Sequence, residues 1–329
     1  MNAPPREGAA PDVREGGRWG TAQAAKNALL YWIIRAVLAT LTSLPPRRLR
    51  ALGRGLGACV HLAHPRLRKL ARANVQRALP HLDEASTQSL VAAAYRNLGG
   101  HLGDAVASLR PGAAVRTLPF PEKDRAILRE AQREGRGVLF VSAHLGPWER
   151  VAATLVDHGF ALTTVARESY DPRLTALYDR LRGGVGVRSI YRGAAGAPFR
   201  MLRTLRAGGV LGMPMDLRAR VPSIAVPFLG IPAATPVGPA RMACRTGAAV
   251  VIGTAARGAD GAMVLTVTRI PIDDLGCAID RAASERCLTE RINDELSRRI
   301  LDLPEQWVWM HPRWPDPTKG RDAQSHGVT

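Results

Sequence analysis

The longest apolar stretch lies near the start of the chain: residues 28–44 read ALLYWIIRAVLATLTSL, with Lys26 before them and Pro45-Pro46-Arg47-Arg48 after. This pattern predicts a membrane-contacting helix. The run is a little shorter than the roughly 20 residues of a comfortable span, and Arg35 sits in its middle, so interfacial insertion and a full crossing both stay open. Residues 65–79 then place Leu67, Leu70, Ala71, Val75, Ala78 and Leu79 at helical spacing, with Arg66, Arg68, Lys69, Arg72 and Arg77 among them. Such a basic amphipathic helix suits either anionic headgroups or a core on one side and water on the other. Asp83 is placed to cap a further helix reaching about Leu109, which Pro111-Gly112 would close.

The period then changes. Short runs rich in Val, Leu and Ile at 137–142, 161–166, 187–191, 209–213, 248–254 and 262–270 alternate with helix-like segments at 122–133, 147–158, 172–181, 197–206 and 238–245. A last helix is expected over about 280–301. Alternation of this kind predicts an α/β fold with a mostly parallel central sheet flanked by helices, preceded by an N-terminal membrane-associated helical region. The expected organisation is a disordered tail (1–25), the apolar anchor with basic amphipathic helices (26–110), an α/β domain (111–315) and a polar tail (316–329). The first segment, rich in Gly, Ala, Pro and charge, has neither the apolar stretch nor the cleavage site of a signal peptide.

Charge sharpens the picture at the N-terminal end. The formal net charge is +18, and from Gly16 to Leu82 there is no Asp or Glu. Such a field attracts nucleic acid, anionic lipid or a phosphorylated substrate. Aromatic residues make up only 5% of the chain and are little interleaved with the basic ones, which argues against stacking platforms for nucleic acid. The apolar run beside the basic segments favours a membrane. Cys59, Cys244, Cys277 and Cys287 form no C-x-x-C pair and no zinc-ligand spacing with histidine, so they are expected to be reduced core thiols in a protein with a cytoplasmic catalytic face.

The stretch richest in chemistry is Gly137-Val-Leu-Phe-Val-Ser-Ala-His144-Leu-Gly-Pro147-Trp-Glu149. Its apolar half reads as a buried strand, so His144 falls at a carboxyl end, where open α/β sheets place their ligands. Pro147 suits the first position of a helix, with Gly146 at the cap and Glu149 in the first turn. A histidine and a carboxylate so placed can work as a general base: the carboxylate holds one imidazole nitrogen protonated and the other takes a proton from a hydroxyl. A structural histidine and a Glu that merely favours the helix dipole have the same spacing. G-x-S-x-G, Walker, H-E-x-x-H and G-x-G-x-x-G motifs are absent; Gly53-Arg-Gly55-Leu-Gly57 comes nearest to the last, with Val60 at the third glycine position in helical surroundings.

His144-Leu-Gly-Pro-Trp-Glu149 matches the H-x4-[DE] signature of the glycerolipid and lysophospholipid acyltransferase superfamily, and resembles the H-x-G-N-W-E form of the bacterial lipid A late acyltransferases, also called lauroyl or myristoyl acyltransferases. Arg167-Glu-Ser-Tyr-Asp-Pro-Arg-Leu174 resembles that family's second block. Val226-Pro-Phe-Leu-Gly-Ile-Pro-Ala-Ala-Thr235 with Arg245-Thr-Gly-Ala-Ala-Val-Val251 resembles its third region, and Pro304-Glu-Gln-Trp-Val-Trp-Met-His311 its C-terminal signature. The basic segment 67–80 resembles its N-terminal helix, so the likeness runs from about Tyr31 to Trp314. The chain departs from the pattern at Pro147, where these enzymes commonly carry Asn, and at Leu217, where Gln is common.

The resemblance implies a membrane-bound O-acyltransferase with no cofactor and no metal. In it, His144 deprotonates the acceptor hydroxyl, Glu149 orients and charge-stabilises the imidazole, and Arg167 binds phosphate or developing negative charge. Asp216 lines the substrate or holds structure. Trp307, Trp309 and Trp314 are packing or interfacial residues, and His311 is a further site candidate. The implied donor is acyl carrier protein or acyl-CoA. The implied acceptor is a membrane phosphoglycolipid, a lipid A precursor foremost, at the bacterial inner membrane. The alternatives are the same chemistry on a lysophospholipid, an ornithine lipid or a polyketide-like hydroxyl, and a non-catalytic binder of anionic surfaces.

Overall fold

The computed structural model describes residues 19–109, 117–276 and 280–314. Most of the expected N-terminal tail, the polar C-terminal tail, the closing Pro111-Gly112 and Cys277 lie outside the described residues. In chain order the elements are helices α1 (Thr21–Leu41), α2 (Pro46–Ala63), α3 (Pro65–Ala78), α4 (Glu84–Ala107) and α5 (Glu122–Arg133), strand β1 (Val138–Ser142), helix α6 (Trp148–Asp157), strand β2 (Leu162–Ala166), helix α7 (Pro172–Gly183) and strand β3 (Arg188–Tyr191). They continue with helix α8 (Ala197–Arg206), strands β4 (Val210–Pro214), β5 (Ser223–Phe228) and β6 (Ile231–Pro236), helix α9 (Gly238–Thr246), strands β7 (Ala249–Arg257) and β8 (Met263–Ile270), and helix α10 (Arg281–Asp302).

The six strands expected from the apolar runs form one sheet in the order β3-β2-β4-β1-β7-β8. All neighbours in it are parallel except the edge strand β8, which runs antiparallel to β7. Alternation along β1 separates two cores: Leu139 and Val141 pack with α8, α9, α10 and the C-terminal tryptophans, while Val138 and Phe140 pack with α5 and α6 on the opposite face. The hairpin β5–β6 was not expected as strands, because Pro227, Pro232 and Pro236 interrupt its pattern. It stands apart as a two-stranded ribbon, where missing N–H donors are tolerated. It turns through Leu229 (φ 50°) and Gly230 (φ 75°), the two positive angles that a tight hairpin turn requires.

Two details of the N-terminal region differ from expectation. Helix α1 starts at Thr21, so residues 21–25 belong to a helix of 21 residues, about 31 Å long and sufficient by length and composition to cross a bilayer. Leu29, Leu30, Trp32, Ile33 and Val37 are exposed along it. Cys59 is exposed on α2 and so is not a core thiol, whereas Cys244 of α9 and Cys287 of α10 are half-buried and pack against the core. The Gly53-Arg-Gly-Leu-Gly57 run serves helix packing. A Cβ at Gly53 would strike the carbonyl of Gly99, one at Gly57 that of Tyr95, and one at Gly103 that of Leu49, so α2 and α4 meet backbone to backbone. Asp83 caps α4 by accepting from the Ser86 N–H at 2.7 Å.

Candidate active site

β1 and β4 are parallel neighbours with Ser142 opposite Pro214, so two residues further on His144 and Asp216 come face to face. The Asp216 carboxylate is fully buried and accepts three hydrogen bonds: from His144 Nδ1 at 3.0 Å, the His144 backbone N–H at 2.9 Å and Trp307 Nε1 at 2.9 Å. These contacts fix the imidazole with Nδ1 donating and Nε2 as the free nitrogen. The ring is 28% exposed and borders a cavity of about 1220 Å³ at the carboxyl ends of β1 to β4. Trp148 stands edge-on to it, with centroids 5.2 Å apart.

Burial disfavours charge on the imidazole, but the Asp216 carboxylate, by charge and hydrogen bond, together with the Glu149 charge, outweighs it; the His144 pKa is raised above its ordinary value. For Asp216, burial alone would favour the neutral acid, yet His144 and the hydrogen bonds keep its pKa below the usual carboxylate value.

Glu149 lies in the first turn of α6, as expected, but its carboxylate is engaged by Arg182 of α7 through Nη2 at 2.7 Å and Nε at 3.2 Å. It reaches His144 as a nearby charge, and the hydrogen-bonded orienting carboxylate is Asp216. The turn is also shifted by one residue from the sequence reading: Pro147 is the cap and the helix starts at Trp148, because Pro147 (φ −82°, ψ 66°) sits in a tight turn closed by Trp148 N–H to Gly146 O at 3.0 Å. Gly146 takes φ 63°, and a Cβ there would crowd Met263 and Ala255.

The C-terminal signature braces this turn. Leu145 bridges to Trp307, and the Gly146 N–H donates to Gln306 O at 3.0 Å. Trp307, Trp309 and Trp314 are all buried, so of the two expected roles packing is the one they fill; Trp307 adds its hydrogen bond to Asp216. No local signal marks Trp307 or Asp216 as partners of His144, because the pairing arises from the register of β1 and β4. His311 lines the cavity, and burial lowers its pKa.

The cavity has two chemically distinct sides. Leu56, Val60, Leu67, Leu98 and Leu102 of α2, α3 and α4 make one apolar, and Leu56, Leu67 and Leu102 are also exposed at the surface. Arg167, Arg192, Arg218 and Arg245 are among the residues that line the rest, and among the described residues none of these four has a side-chain hydrogen bond or ion pair. Arg167 follows the last residue of β2 and Arg192 the last of β3. Pro147 and Leu217 border the same space with apolar surface. Among the described residues no cluster of His, Cys, Asp and Glu could hold a metal.

The chain matches the model of the family described as bacterial lipid A biosynthesis acyltransferase over residues 21–316. It is also similar to a phosphatidylinositol mannoside acyltransferase of Mycobacterium tuberculosis (strain ATCC 25618 / H37Rv), with 27% identity over 207 residues, 60% of this chain and 61% of the relative. The same figures hold for the protein of that name from strain CDC 1551 / Oshkosh, so the chain spans about three fifths of the length of these curated relatives. With the sheet, the strand-end histidine and the blocks about it all falling within the matched residues, the chain belongs to the bacterial lipid A biosynthesis acyltransferase family, within the lysophospholipid and glycerolipid acyltransferase superfamily.

Proposed function

We propose that this protein is a membrane-associated O-acyltransferase that moves a fatty acyl chain from the thioester of acyl carrier protein or acyl-CoA to a hydroxyl of an anionic membrane lipid. The observation that carries the reading is His144, locked by Asp216 through Nδ1, with Nε2 free beside a cavity that is apolar on one side and arginine-lined on another. Nε2 takes the proton of the acceptor hydroxyl as its oxygen attacks the thioester carbonyl. Collapse of the tetrahedral adduct breaks the carbon–sulfur bond, and the imidazolium returns its proton to the departing thiolate. Asp216 stabilises the imidazolium, Glu149 adds negative charge nearby, and Arg167 binds phosphate or stabilises developing negative charge.

Of the candidate acceptors, the relatives named for phosphatidylinositol mannoside favour a lipid other than lipid A, with a glycophospholipid ahead of a lysophospholipid or an ornithine lipid. The family description keeps a lipid A precursor as the second reading. The apolar α1 and the basic N-terminal helices suit the bacterial inner membrane with the site towards the cytoplasm. The test is product mass spectrometry of the purified protein given acyl-carrier and acyl-CoA thioesters with a panel of these acceptors. Acylation of a non-lipid-A acceptor is the expected outcome, acylation of the lipid A precursor alone overturns the acceptor assignment, and acylation of none overturns the enzyme.

A further inference from the structure

The adjacent strand ends β2 and β3 set beside Arg167 a second arginine, Arg192, that the acyl-transfer reading does not use. Ala166 pairs with Tyr191 in the parallel register, and the Arg192 N–H donates to Ala166 O at 3.0 Å, so Arg167 and Arg192 leave the sheet side by side. Parallel neighbours are about 4.8 Å apart, so two guanidinium side chains start within easy reach of one ligand. Both line the cavity, and among the described residues neither has a carboxylate partner. Glu168 borders the same space and has an interaction of its own. Burial and the neighbouring Arg167 charge hold the Arg192 pKa below the usual arginine value, as expected of two like charges kept together without an anion.

We propose that Arg192 and Arg167 form a clamp for a phosphate group, Arg192 being a binding residue outside every block that marks the family in this sequence. Two planar forks at one mouth suit the oxygens of a phosphate mono- or diester, which accepts paired hydrogen bonds from each guanidinium. The phosphate comes from the pantetheine-bearing acyl donor or from the acceptor's headgroup. The binding site stands on the geometry alone; the choice between these sources rests on the acyl-transfer reading.

The test begins with calorimetric titration of the full chain in detergent micelles with inorganic pyrophosphate, at about 0.15 M salt to screen diffuse attraction. Arg192→Ala should weaken binding about 10- to 100-fold, the loss expected of charge-assisted hydrogen bonds, and Arg192→Lys should weaken it less. Arg203→Ala, an exposed charge of α8 outside the cavity lining, should leave it unchanged. Equal affinity in wild type and Arg192→Ala, no binding in wild type, or the same loss in Arg203→Ala overturns the clamp. This arm needs no turnover, so it stays readable if acyl transfer is not found. Kinetics then assign the source. A raised KM for acyl-CoA, with none for the phosphate-free acyl-N-acetylcysteamine thioester, places the donor's phosphate there. A raised KM for the lipid acceptor with either donor places the headgroup there.

Discussion

Two neighbouring pairs of strand ends carry opposite electrostatics in the same cavity. At β1 and β4, His144 faces Asp216, and the buried carboxylate accepts three hydrogen bonds from within the protein. At β2 and β3, Arg167 and Arg192 stand side by side and, among the described residues, no carboxylate is ion-paired to either. Both pairs arise by the same device, a residue just past the end of each of two parallel strands in register. The difference is what each pair lacks: the first needs nothing from outside to be stable, and the second is completed only by an anion. A self-satisfied pair is suited to moving a proton, and an unsatisfied one to binding a ligand.

The largest expected effect is that of His144→Ala, which should lower acyl transfer roughly 100- to 10,000-fold in protein that circular dichroism shows to be folded, with a lowered melting temperature because the buried Asp216 carboxylate loses its partner. Unchanged turnover in a thioester assay would remove the base from β1. Asp216→Asn should follow, with a rate loss on the order of 100-fold and a stability loss of about 1–3 kcal/mol by denaturant titration, since two His144 donors and Trp307 lose a charged acceptor. The pH dependence sharpens this. The rate requires neutral imidazole, so its acid limb should inflect above the ordinary value of about 6.5 in wild type and move down in Asp216→Asn.

Folding raises the imidazole's pKa, so the pair's contribution to stability is complete below the unfolded value of about 6.5 and fades as pH climbs through the folded one. Folding lowers the pKa of Asp216, so its contribution is complete above the unfolded value of about 3.9 and is lost as pH falls through the folded one. The stability gap between wild type and Asp216→Asn should therefore be widest between about pH 4 and 6.5.

Gly99→Ala should cost about 1–3 kcal/mol by overpacking α4 on α2, read as a lower melting temperature; a wild-type value would show that the helical roof can shift without loss. Glu149→Gln frees Arg182 and removes a charge near His144, so its acid limb should move in the same direction as in Asp216→Asn, but by less; a larger shift would return the orienting role to Glu149. The smallest effect is on stability in Arg192→Ala, unchanged within about 0.5 kcal/mol or slightly raised, because relieving two like charges removes no favourable contact. A clear loss would mean that the second pair is held together from within, like the first.

Much of the fold was legible. All six sheet strands lie where short apolar runs alternate with helical segments, because burial between helices on both faces requires such runs. The hairpin β5–β6 was hidden by its prolines, which are acceptable only because that ribbon sits outside the main sheet. Of the site, His144 and Glu149 were visible as a pair in sequence, since a strand, a turn and a helix start bring them together locally. Asp216 could be named only through resemblance, with its role open. Sequence distance hides a partner 72 residues away, and sequence nearness suggested for Glu149 a hydrogen bond that Arg182 takes instead.

The sequence by itself determined the apolar N-terminal helix, the α/β alternation and the placement of His144 at a strand's carboxyl end, because these follow from local periodicity and turn chemistry. Only the tertiary structure decided which carboxylate holds the imidazole and which arginines stand side by side at the cavity. Both depend on which strands become neighbours and in what register, and register is set by the packing of the whole sheet.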